Sequence, residues 1–302
     1  MRTIKIIPLL FTVITFAAHA QKAPWMKHDS LMEVIIKAKR AKLPSVQQIS
    51  LRAPVNIKID GKTTEWNDQF KAYNTSDDIF YTLSNDDKNL YLTLQAVNYT
   101  IVNKILGGGV SLTINIGGKR NFKSGINITY PMINKHDRIW VNSSAMPEII
   151  PGNAVSVMQA DSFMNNNNLR LGNKSKFIMV TGIKGVDTLI SVYNQDGIKA
   201  ASQFNNKMIY TYELAISLKL LGMAGNDPVK FAYNIKLPGV DMDAALGQVT
   251  IRDEDGNLRH YLAPGVTVAD IKNNPPSLPS KVNLSVFQSP TDFWGEYTLA
   301  KK

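Results

Sequence analysis

The sequence contains no cysteine, so it forms no disulfide, no cysteine-ligated metal site and no lipid-modified cysteine. Covalent haem attachment, which needs Cys-x-x-Cys-His, is excluded with it. Histidine is scarce: there are four in 302 residues, and only His28, His136 and His260 lie beyond residue 20. A serine triad requires Ser, His and Asp in contact, and no Gly-x-Ser-x-Gly elbow is present. Gly107-Gly108-Gly109 lacks the Gly-Lys-Ser/Thr ending of a phosphate loop and reads as a turn before Val110. Three separated histidines have no zinc-site spacing. Asp253-Glu254-Asp255-Gly256-Asn257 is acidic but lacks the glutamate at the twelfth position of a calcium loop, so it reads as a hairpin tip. These absences lead us to expect a non-enzymatic protein. A carboxylate pair for glycoside hydrolysis stays open at this stage, because such pairing is spatial.

What is present begins with an export signal. Arg2 and Lys5 precede an apolar stretch at 6–16, and Ala18-His19-Ala20 is a small-x-small cleavage site before Gln21. The stretch is too short to remain as a membrane anchor, and no later segment reaches spanning length without charges. The expected product is exported, periplasmic or extracellular, with no membrane span after cleavage and no lipid anchor. Hydrophobic residues make up 44% and charged residues 19%, a globular composition. The net charge of +10 is spread along the chain, with one dense basic run at 37–42, and reads as solvated surface. No basic-aromatic module accompanies it, so nucleic acid is not expected as a partner. Nothing in the sequence fixes an oligomeric state.

Beyond the signal the chain divides into three. Residues 21–53 form a lead-in: Ser30 and Glu33 have capping-box spacing, and one short helix is predicted to end before Pro44. From 54 the period becomes two. Val55, Ile57 and Ile59 alternate with polar residues, as do Val110, Leu112, Ile114 and Ile116. Further strands are predicted at 79–83, 90–97, 126–130, 177–182, 187–193, 208–216 and 229–237, with turns at Asp196-Gly197 and Asp255-Gly256. The expected fold is all-β, an antiparallel, jelly-roll-like β-sandwich over 54–262. It carries a polar insertion at about 131–175, with Asn165-Asn166-Asn167-Asn168 in its middle. Residues 263–302 then read as a proline-rich wrap ending in an aromatic tail that docks on the body.

Three motifs in order carry a resemblance. Ile59-Asp60-Gly61-Lys62 with Glu65-Trp66, then Asp86-Asp87-Lys88-Asn89-Leu90-Tyr91-Leu92, then Tyr212-Glu213-Leu214-Ala215-Ile216-Ser217-Leu218 with Leu221-Gly222, together resemble the family 9 carbohydrate-binding modules and the related DOMON domains. The resemblance covers about 54–237. It implies a sandwich, a glycan or cell-envelope partner and, in some members, calcium, for which Asp60, Glu65 and Glu213 are the candidate ligands. No cofactor is required by the residues themselves. Read physically, Asp60-Gly61 is a tight turn, Trp66 covers one end of the core, and Tyr91 belongs to the hairpin motif. Glu213 lies on the face opposite Tyr212 and Leu214, placed to hydrogen-bond a loop or pair with a lysine.

A sugar site on a sandwich needs an aromatic platform with polar groups at its rim. Trp140 is the candidate, with Tyr130, His136, Arg138 and Asn142 around it. Two alternatives accompany the glycan reading. One is a structural or assembly module of the envelope without a small ligand. The other, implied by the DOMON resemblance, is non-covalent haem held by residues such as Met132, Met146, Met158, Met164 or His136.

Overall fold

The computed structural model describes residues 37–301 except 68, 135–136, 143–144, 225–227, 241–247, 253–257 and 263–283, with backbone alone at 248–252, 258–262 and 284. The export signal, the capping box at Ser30 and Glu33, His136, the Asp255-Gly256 turn and the proline-rich stretch 263–280 lie outside the described residues. Of the helix predicted before Pro44, residues 37–40 are described, and they are helical.

Alternating apolar residues build two antiparallel sheets. The first orders β1 (Ala72–Asn74), β2 (Ile79–Asn85), β3 (Asn89–Ala96), β9 (Tyr210–Ser217) and β8 (Ile198–Phe204). The second orders β13 (Thr291–Thr298), β10 (Lys230–Leu237), β4 (Val110–Asn115), β5 (Ile126–Met132), β6 (Phe177–Thr181) and β7 (Leu189–Ser191). A separate hairpin joins β11 (Gln248–Arg252) and β12 (Leu258–Leu262). The protein is an all-β sandwich with three described helices: α1 (Tyr99–Gly108), α2 (Ala154–Lys174) and α3 (Leu284–Gln288).

Register sets the core. Leu83 lies opposite Leu92 and Leu92 opposite Leu214, while in the other sheet Ile235 faces Leu112 and Leu112 faces Ile128. All are buried and interdigitate between the sheets. This is the inward half of the period-two pattern. The outward half of the first sheet is buried too: Thr82, Thr93 and Glu213 have almost no exposure. The reason is that residues 57–71 lie over it. The Lys71 N–H donates to Thr82 Oγ1 at 3.0 Å, and Gln95 Nε2 donates to Thr63 Oγ1 at 3.4 Å.

Chain ends seal the edges. Gln47 exchanges amide hydrogen bonds with Leu83, its Oε1 accepting from the Leu83 N–H at 2.8 Å and its Nε2 donating to the Leu83 carbonyl at 2.8 Å. The aromatic tail does more than dock: it is β13, paired with β10 over eight residues, so the sandwich is completed from beyond 262. Lead-in and tail meet at Asn85, whose Oδ1 accepts from Tyr297 OH and from the Ala300 N–H.

The insertion also holds more order than its polarity suggests. Residues 154–174 form α2, capped by Asn153, whose side chain accepts from the Val155 and Ser156 N–H groups. The helix packs against β8, the edge strand of the first sheet.

Candidate functional site

Where α2 crosses that edge, an open groove of about 690 Å³ forms. One wall is the loop after Gly61, contributing Lys62, Thr63, Thr64 and Asn67. The other is α2, through Met164, Asn165 and Asn168. The end of the β8–β9 hairpin makes the floor with Gln203, Phe204, Asn205, Asn206 and Thr211.

Each wall is fixed by specific bonds. Asn168 binds β8 as a neighbouring strand would. Its Nδ2 donates to the Phe204 carbonyl at 2.9 Å, and its Oδ1 accepts from the Phe204 N–H at 2.8 Å. On the loop side, the Asp60 and Gly61 N–H groups donate to Glu213 Oε2 at 3.0 and 2.9 Å. Gly61 has φ +81, and a Cβ there would lie 2.7 Å from the Gln203 nitrogen, so only glycine lets the turn rest this close to β8. Trp66 closes the loop and is buried. Asn205 Oδ1 accepts from the Lys207 and Ile209 N–H groups and shapes the hairpin tip.

The lining has a definite chemistry. Six of the thirteen lining residues carry side-chain amides, one (Lys62) is cationic and none is a carboxylate. Among the described residues the side chains of Asn67, Asn165, Gln203 and Asn206 make no hydrogen bond, and each is exposed or half-exposed. An amide both donates and accepts. Met164 and Phe204 supply the apolar part of the surface.

The residues singled out around Trp140 sit elsewhere. Tyr130 is 2% exposed, packs on Tyr212 and presents no surface to a ligand. Trp140 is half-buried with its ring 5.2 Å from that of Phe287, so it anchors the insertion against α3. Arg138 is half-buried and Asn142 exposed. Of the methionines considered for haem, Met164 lines the groove, Met146 Sδ accepts from Tyr99 OH at 3.3 Å, Met158 is exposed and Met132 is half-buried on β5.

The calcium candidates occupy one neighbourhood with separate tasks. Asp60 Oδ1 accepts from the Lys62 N–H at 3.0 Å, and Glu65 Oε2 from Thr64 Oγ1 at 2.9 Å. Glu213 binds the backbone beneath them. Among the described residues no group of three or more His, Asp or Glu side chains is arranged to hold a metal ion. Tyr91 keeps its motif role, its OH donating to Asp86 Oδ2 at 2.7 Å across the hairpin.

Sequence reasoning missed the groove, although two of its signals were on the page. The asparagine run supplies Asn165 and Asn168, and the hairpin tip carries Asn205-Asn206. What joins them is a long-range contact that neither segment announces.

No protein-family model matches the chain, and no curated protein matches it. Among solved structures it is similar to a family 9 carbohydrate-binding module from Caldicellulosiruptor kristjanssonii, determined in complex with glucose. The identity is 12%, the overlap covers 65% of this chain and 80% of that one, and the TM-score is 0.32. An overlap this low bears on neither ligand nor residue roles. Among the described residues no helix is long and apolar enough to cross a membrane.

Proposed function

We propose that this protein binds carbohydrate, without catalysis, in the groove between α2 and the loop after Gly61. The observation that carries the reading is the set of unpaired amides at Asn67, Asn165, Gln203 and Asn206. A polyhydroxylated ligand offers donors and acceptors in equal measure, and neutral amides match both without demanding charge. The groove volume falls within the roughly 300–1,000 Å³ usual for small-ligand sites. Met164 and Phe204 give C–H faces of a sugar an apolar surface. A glycosidase would need two carboxyl groups flanking the bond, and no carboxylate lines this groove. With the export signal at residues 1–20, the ligand is a glycan met outside the cytoplasm, free or part of the cell envelope.

The test is a glycan array on purified protein, followed by calorimetry on the best ligand with Asn165→Ala and Gln203→Ala. Each variant loses one ligand hydrogen bond, worth about 0.5–1.5 kcal/mol, so affinity falls roughly three- to tenfold apiece. Trp140→Ala leaves affinity unchanged. Absence of any array signal, or full affinity in both groove variants, refutes the proposal.

A further inference from the structure

The loop wall has no regular structure beyond a single 3-10 turn at Thr64–Trp66, so its height above the sheet must be set by side chains. One buried group does this. Glu213 stands mid-strand on β9, between Thr93 on β3 and Ala201 on β8, and is fully buried. Its Oε2 takes both N–H groups of the Asp60-Gly61 turn, while its Oε1 is buried with no hydrogen-bond partner. Thr93 and Ala201 are uncharged. The charged groups of the overlying loop are the carboxyls of Asp60 and Glu65, which oppose a negative charge on Glu213, and the exposed Lys62. Glu213 forms no ion pair among the described residues.

We propose that Glu213 is the positioning residue of the groove: it latches the wall at 60–64 against β9 and loosens it on ionising. This rests on the groove being the ligand site. Loss of the proton places a charge at the unpartnered Oε1, away from water and beside two carboxylates. Burial accordingly raises the Glu213 pKa from 4.5 to about 7. A latched state that prefers the proton opens more easily as pH rises from about 4.5 to about 7 and changes no further above that.

The experiment is hydrogen exchange on the whole protein, reading the Asp60 and Gly61 amides in wild type, Glu213→Gln and Glu213→Ala from pH 5 to pH 8. Protection, corrected for intrinsic rates, falls at least about tenfold between pH 5 and pH 7.5 in wild type. It stays pH-independent in Glu213→Gln, which keeps the acceptor, and is lost at every pH in Glu213→Ala. In parallel, affinity electrophoresis in a soluble β-glucan, a xylan and a mannan compares pH 5.5 with pH 8. A polysaccharide that retards wild type does so less at pH 8 but equally at both pH values with Glu213→Gln. Wild-type protection in Glu213→Ala, or the same pH response in Glu213→Gln as in wild type, overturns the latch. If none of the three polysaccharides retards wild type, the array result judges the groove, and the exchange data alone decide for or against the latch.

Discussion

Gly295 lies opposite Tyr233 in the β10–β13 ladder, and a Cβ on it would sit 2.3 Å from the Tyr233 ring. That ring cannot give way: Tyr233 is fully buried and its OH is 3.0 Å from Tyr81 OH. Gly295→Ala therefore forces the last strand off its partner, an overpacking cost of about 1–3 kcal/mol, measured as a lower midpoint in urea at unchanged slope. Glu213 shows how far a single residue can be read from sequence. Period-two alternation puts it opposite Tyr212 and Leu214, and the structure bears that out. Which loop lies above it was beyond the pattern, because Asp60 is 153 residues away and only the folded sheet brings the two together.

Among the elements, α2 is the one whose nature the sequence concealed. Its buried positions are Ser156, Ala160, Asn167 and Leu171. Their spacing is helical, but two of the four are polar, so no apolar stripe marks the segment as a helix. Polar residues fit this face because the element it covers is a strand edge, whose free N–H and C=O groups need partners. Asn168 supplies such partners to Phe204. Asn168→Ala removes both bonds and leaves backbone groups of β8 unpaired, at a cost of about 1–3 kcal/mol. The expected outcome is faster proteolysis within 154–174 and weaker glycan binding, while β3 and β9 keep their protection from hydrogen exchange. The strands, by contrast, were legible wherever alternation was strict, as in β4. The tail was legible as a docking segment through its aromatics, but its pairing with β10 depends on a register set far away in sequence.

Across the whole molecule, two buried carboxyls give stability an uncommon pH dependence. Most acidic groups in proteins are paired and lose stability on acidification. Here burial raises Glu213 to about 7, and raises Asp77, which is fully buried between β1 and β2, to about 6. For a group whose folded pKa exceeds its unfolded one, the stabilising contribution is complete below the unfolded value and is lost as pH rises through the folded value. The windows run from 4.5 to about 7 for Glu213 and from 3.8 to about 6 for Asp77. Glu296, held below the usual carboxylate range by the Lys230 ammonium, acts in the opposite sense, but the pair is exposed and its effect small. The melting temperature should therefore fall from pH 5 to pH 7.5 by on the order of 5–10 °C, then level. Calorimetry across that range checks this. Glu213→Gln and Asp77→Asn each remove part of the slope, and the double variant melts at nearly the same temperature at pH 5 and pH 7.5. A melting temperature that climbs steadily toward neutrality in wild type would mean that both carboxylates are stabilised as ions in the fold, and with that the basis for a proton-dependent groove wall disappears.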